Sequence, residues 1–118
     1  MKKILMVDDN QLVCRIVELH LGKLGWDVRS CVGPFGVLNH IKEFGPAIVL
    51  LDINMPGLNG DKVARLLSNM KSTAFKVVLF SSEPEKKQKE LVDQGLACGY
   101  YVKSHSLEGL HEMLQGFS

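Results

Sequence analysis

A chain of 118 residues fits one domain and is long enough to bury a core without disulfide or metal staples. Its 14 Lys and Arg against 13 Asp and Glu leave a formal net charge of +1, which argues against a nucleic-acid surface built on basic excess. No apolar run approaches the roughly 18 residues of a membrane span, and the short run after Met1-Lys2-Lys3 meets two aspartates, which argues against a secretory signal.

In chain order, a first strand is expected over 2–7, ending on Asp8-Asp9-Asn10, with Asp9 or Asn10 capping the next helix. That helix should span 11–24 with Val13, Ile16, Val17, Leu21 and Leu24 on one face, stopped by Gly25. A more polar strand over 27–32 reads as a sheet edge. Gly33-Pro34 opens a second helix, Pro34 in its tolerated first turn, carried by Phe35, Leu38 and Ile41 to Phe44. The third strand, 47–52, is an unbroken apolar run closed by Asp52 and flanked by Gly45-Pro46 and Pro56-Gly57, the pattern of a strand buried on both faces. A turn-rich loop (53–60) leads to a helix over 61–70. A fourth strand over 76–81, a charged helix over 84–95, a fifth strand over 99–102 and a last helix over 106–117 complete the chain. Gly109 inside that last helix costs about 1 kcal/mol relative to alanine, so the helix is expected to be loose.

Five repeats of strand then helix predict an α/β fold, a flavodoxin-like (βα)5 doubly wound parallel sheet of order 2-1-3-4-5, in one domain over 1–118. Ligands in such sheets sit beyond the carboxyl ends of the strands. Four of the five strands end there in polar groups: Asp8-Asp9, Asp52, Ser81-Ser82 and Lys103. Two carboxylates about 5 Å apart repel by about 3 kcal/mol at an effective dielectric near 20. Asp8, Asp9 and Asp52 together therefore ask for a cation, and a magnesium-type ion suits an all-oxygen site that shares a phosphate. Lys103 adds a compact positive charge and Ser81 a hydroxyl donor. A cation, a lysine and a hydroxyl around one carboxylate are what phosphoryl transfer needs, with Asp52 as the nucleophile.

Asp8-Asp9, Asp52 in the setting Leu51-Asp52-Ile53-Asn54-Met55-Pro56-Gly57 with Gly60 after it, Ser81 and Lys103 resemble, in order and spacing, the receiver domain of bacterial two-component response regulators over the whole chain. The resemblance implies that Asp52 accepts a phosphoryl group from a histidine kinase or phosphotransfer protein. It implies that Asp9, Asp52 and the Asn54 carbonyl bind Mg2+, with Asp8 holding the ion through water. Ser81 and Lys103 would grip the phosphoryl group, and Tyr100 would be the switch aromatic that turns inward when Ser81 shifts. It also implies a signalling surface made of the fourth helix, fifth strand and last helix, where Lys86, Lys87 and Lys89 would meet an output protein, and variable positions at Asn54 and Glu83 that tune the phosphoryl lifetime. Lys103-Ser104 departs from the family's Lys-Pro, so a cis peptide is not expected there.

Taken singly, Asp8-Asp9 also reads as a turn and helix cap, Ser81-Ser82 as a cap before Pro84, Tyr100 as core or rim, and the charged run 83–90 as a solvated helix face. Cys14, Cys31 and Cys98 read as small core residues of a protein in a reducing cytoplasm, and the four histidines show no ligand spacing with them. A nucleotide- or flavin-binding domain would want a phosphate-cradling Gly-rich loop where Asp8-Asp9-Asn10 stands. A carboxylate-dependent phosphohydrolase would want more chain for a substrate pocket. A receiver used only for docking would not need all five site positions. The expected protein is thus a phosphorylatable switch more than an enzyme, with no direct contact to nucleic acid and no membrane insertion.

Overall fold

The structure is a computed structural model and describes residues 2–33, 36–53, 62, 75–82 and 84–117. The strands are β1 (Lys3–Asp8), β2 (Asp27–Val32), β3 (Ile48–Leu51), β4 (Lys76–Ser81) and β5 (Gly99–Val102). The helices are α1 (Gln11–Lys23), α2 (Val37–Phe44), α3 (Glu85–Asp93) and α4 (Leu107–Gln115). Here α3 and α4 are the fourth and last helices expected from the sequence. The helix expected over 61–70 falls, apart from Lys62, outside the described residues, as do Pro34 and Phe35.

All five strands are parallel, in the order β2-β1-β3-β4-β5. The apolar runs predict this burial: Ile4 to Val7 and Ile48 to Leu51 are each 0% exposed, so both faces of the central strands are covered. The pleat sorts alternate residues to opposite faces. Leu5, Val7, Val49, Leu51, Val77 and Leu79 pack in one cluster with Val37 and Ile41 of α2 and Leu91 of α3. Ile4, Met6, Ile48, Leu50, Val78 and Phe80 pack in the other, with Cys14, Val17 and Leu21 of α1 and Leu110 and Leu114 of α4.

Several local expectations are corrected. α1 buries Cys14, Val17 and Leu21, whereas Ile16 and Leu24 are exposed and Val13 is half-buried. Of the two candidate caps, Asn10 is the one used, its Oδ1 accepting from the N–H groups of Leu12 and Val13. α2 starts at Val37 rather than beside Pro34, and buries Val37, Ile41 and Phe44 while Leu38 stays exposed. Cys98 is exposed, while Cys14 and Cys31 are buried on opposite faces of the sheet. Burial pushes both buried thiols up, and the Ser30 contact partly offsets this at Cys14. No described peptide bond is cis, as expected at Lys103-Ser104.

Gly109 is where the last helix is tight rather than loose. Ser106 caps α4 through its Oγ, which accepts from the Gly109 N–H at 3.1 Å. The Tyr101 hydroxyl donates to the Ser106 carbonyl at 2.6 Å, and a Cβ on Gly109 would collide with that hydroxyl. The Tyr101 ring cannot easily move aside, since it stacks on Phe80 and meets His105 edge-on. Gly109→Ala should therefore lower stability by about 1–2 kcal/mol instead of gaining the ~1 kcal/mol of helix propensity. Urea unfolding checks this, and the same substitution beside Tyr101→Phe should regain stability. A stabilising Gly109→Ala alone would show that the collision is relieved at no cost.

Candidate functional site

Parallel register brings the strand tips together. Val7 pairs with Leu51, and the ladder runs one step further because the Asp52 N–H donates to the Val7 carbonyl at 2.9 Å. Asp8 and Asp52 are thus neighbours at the ends of adjacent strands, each continuing the row of side chains that faces α1 and α4. On the far side, Ser81 pairs with Val102, and the Lys103 N–H donates to the Ser81 carbonyl at 3.0 Å. By the same alternation Lys103 follows Tyr101 on the α1–α4 face, while Ser81 and Tyr100 continue the face covered by α2 and α3.

The Lys103 ammonium lies 2.6 Å from Asp8 Oδ2 as an ion pair and donates a hydrogen bond to Asp52 Oδ2 at 3.2 Å. Asp8 is 0% and Asp52 2% exposed, so these carboxylates are held out of water. Asp8 Oδ1 accepts from the Asn10 N–H at 2.9 Å. Burial raises the pKa of Asp8, and the Asp52 charge adds to it. Lys103 and the Asn10 N–H pull it back without cancelling the rise. Burial alone would lower the Lys103 ammonium, but the contact with Asp8 and the charges of Asp52 and Asp8 outweigh it and raise its pKa.

Asp9 is exposed at the rim, and one carboxylate oxygen each from Asp8, Asp9 and Asp52 lies within 4.8 Å of the others. Three hard oxygen donors this close, two of them buried and in contact with Lys103, fit a divalent cation of the Mg2+ type. Asn54 lies outside the described residues, so its carbonyl is not placed, and the same holds for Glu83. The structure therefore brings together Asp8, Asp9, Asp52 and Lys103, and sets Ser81, fully buried, on the next strand tip.

Tyr100 stands apart from this cluster. Its ring packs against the α2–α3 side of the core and its hydroxyl donates to Glu85 Oε1, at the start of α3, at 2.7 Å. That hydrogen bond, with some burial and the charges of Glu85 and Asp93, raises the phenol's pKa. Two partners escaped the sequence reading. Glu85 looked like one charge among many in a solvated run, and no sequence signal pairs it with Tyr100. Gln88 had a faint one: it is the uncharged residue in Glu85-Lys86-Lys87-Gln88-Lys89-Glu90, three positions before Leu91, and it is fully buried.

Residues 4–115 match the family model described as the response regulator receiver domain. Protein PilG of Pseudomonas aeruginosa is 34% identical over 84 residues, a match that covers 69% of this chain and 61% of PilG. Hybrid signal transduction histidine kinase F of Dictyostelium discoideum is 29% identical over 121 residues, which are 98% of this chain but 11% of that protein. The matched region thus spans less than two thirds of either relative's length. Among solved structures, the response regulator TrrA of Thermotoga maritima, in complex with Mg2+-BeF, superposes with a TM-score of 0.87 at 26% identity, covering 100% of both chains. Among the described residues, no helix is long and apolar enough to cross a membrane.

Proposed function

From the premise that this chain belongs to the response regulator receiver family of two-component signalling, with its flavodoxin-like sheet, we propose that residues 1–118 form one receiver unit whose phosphoacceptor is Asp52. The observation that carries this reading is the short contact of Lys103 with both buried carboxylates, Asp8 and Asp52, beside a third carboxylate from Asp9. Asp8, Asp9, Asp52 and the Asn54 carbonyl would hold Mg2+, which when bound supplies charge neutralisation for the carboxylates and the phosphoryl oxygens.

The residues then divide the work. A carboxylate oxygen of Asp52 attacks the phosphorus of a donor phosphohistidine, and the P–N bond breaks with its electron pair returning to the imidazole. Lys103 stays within reach of the new acyl phosphate and offsets the charge on its oxygens. The Ser81 hydroxyl donates to one of those oxygens. Water attack on phosphorus later releases phosphate and restores the carboxylate. The donor is a sensor histidine kinase or a phosphotransfer protein. The groove beside Lys103, lined by Val13, Ile16, Phe80, His105 and Leu107, offers its approach. The switched surface comprises α3, β5 and α4, where Tyr100 and the lysines of α3 meet an output protein. The unit acts as a regulatory switch in the cytoplasm, assisting its own phosphorylation and dephosphorylation without turning over a separate substrate.

Incubation with acetyl phosphate, with and without Mg2+, followed by intact mass, tests the reading. A gain of one phosphoryl group that requires Mg2+ is expected. No gain under either condition would overturn it in favour of a docking module that uses the same surface without phosphorylation.

A further inference from the structure

We propose that Gln88 is a positioning residue that fixes α3 to the Ser81 strand tip and carries that tip's displacement into the helix, an inference that rests on the receiver reading above. The Gln88 side chain is 0% exposed, whereas Glu85, Lys86, Lys89, Glu90 and Asp93 of the same helix face solvent. With Leu91 three positions on, it occupies the apolar face of α3, where a leucine or methionine would fill the space without the cost of burying an amide. The amide is spent on direction: Gln88 Nε2 donates to the Ser81 carbonyl at 3.2 Å.

That carbonyl is a junction. It also accepts from the Lys103 N–H at 3.0 Å, so one oxygen connects the hydroxyl-bearing tip of β4, the residue after β5 and the first full turn of α3. One turn earlier, Glu85 holds the Tyr100 hydroxyl. The signalling helix is thus tied to the sheet at two successive turns, once to the strand tip that would feel the phosphoryl group and once to the aromatic that would report it. Apolar packing lets a helix slide, but a buried hydrogen bond fixes distance and angle. When Ser81 moves toward a phosphoryl group on Asp52, its carbonyl moves with it. The Gln88 bond then draws α3 along, which changes the equilibrium between the two placements of the helix.

The test is hydrogen exchange of the α3 amides before and after acetyl phosphate with Mg2+, with the extent of modification read by intact mass on the same samples. Wild type and Gln88→Met are compared, since methionine keeps the volume and removes the donor. The two proteins should be modified to the same extent, and the phosphorylation-dependent change in α3 exchange should fall to about half or less in Gln88→Met. An unchanged difference would overturn the inference, because a merely structural glutamine would shift both states together. If Gln88→Met fails to fold, the wild type still decides. The Gln88 side-chain amide signals in NMR should shift on phosphorylation, and unshifted signals would overturn the proposal. A wild type that takes up no phosphoryl group would overturn the receiver reading, and this inference with it. A wild type that is modified while Gln88 stays unresponsive would overturn this inference alone.

Discussion

Asp52→Asn should remain folded and take up no phosphoryl group from acetyl phosphate, with or without Mg2+. An amide oxygen is a poor nucleophile toward phosphorus, and the neighbouring carboxylates cannot substitute for Asp52. Asp8 is engaged by Lys103 at 2.6 Å and by the Asn10 N–H, while Asp9 sits at the exposed rim. The fold should tolerate the change because the two side chains are isosteric and Lys103 keeps Asp8 as partner. Removing one of three clustered charges relieves its repulsion with the other two, about 3 kcal/mol per pair at about 5 Å, and removes its attraction to the Lys103 ammonium at 3.2 Å, about 5 kcal/mol at the same dielectric near 20. The two effects oppose, so stability should change by less than about 1 kcal/mol. Intact mass and a thermal melt check both parts. Full uptake by the variant would mean that another residue accepts the phosphoryl group.

Lys103→Met should have the opposite signature, a protein destabilised in the absence of divalent cations and rescued by them. Lys103 contacts both Asp8 and Asp52, two nearly inaccessible carboxylates. Breaking a buried pair by removing one partner costs about 3–5 kcal/mol. The lysine side chain is 19% exposed, which admits water and brings the expected loss to about 2 kcal/mol. Mg2+ should recover most of it, because a ligand that binds the folded state stabilises by mass action. With the lysine no longer competing for the carboxylates, apparent Mg2+ affinity should rise about tenfold, even though phosphoryl uptake falls. The pH dependence has a definite sign. The pKa of Lys103 is raised on folding, so its contribution is fully present below the ordinary lysine value of 10.5 and is lost as pH rises through the folded value. Wild type should lose stability there in excess of Lys103→Met. Urea unfolding with EDTA or Mg2+ measures the first effect and calorimetric titration the second. A variant as stable as wild type in EDTA would show that the ion pair is energetically idle.

Much of the fold was legible because the central strands are buried on both faces, so unbroken apolar runs ending in turn residues mark them directly. β4 and β5 lie where their runs place them, and β2 lies where the more polar stretch over 27–32 does. α1 was harder. Leu12, Val13, Cys14, Ile16, Val17, Leu19 and Leu21 make it apolar nearly all round, so a helical period fits several faces. Packing, not pattern, selects Cys14, Val17 and Leu21. The site carboxylates and Lys103 were legible as polar strand endings, but their convergence depends on register, in particular the Asp52 N–H reaching the Val7 carbonyl, which composition does not encode. Gly109 was misjudged because propensity counts the helix alone, while the deciding neighbour is the Tyr101 hydroxyl on another element. Cys98 was misjudged for the same reason in reverse, since apolar neighbours in sequence did not mean apolar neighbours in space.

The pleat that sends Asp8, Asp52 and Lys103 to one face of the sheet, and Ser81, Tyr100 and their helix to the other, sets two groups of substitutions apart. On the receiver reading proposed above, substitutions on the α3 side should alter what that surface meets, or how strongly, with the charge cluster untouched. On the same reading, substitutions at Asp8, Asp52 or Lys103 should alter phosphoryl uptake with the α3 part of the surface preserved. Pairs of substitutions drawn from opposite faces should add, and pairs within one face should not, except where Ser81, whose carbonyl meets both Gln88 and Lys103, is one of the pair. On that reading, phosphoryl timing and the audience of α3 should be separately adjustable, with the Ser81 strand tip as the position where the two adjustments interfere.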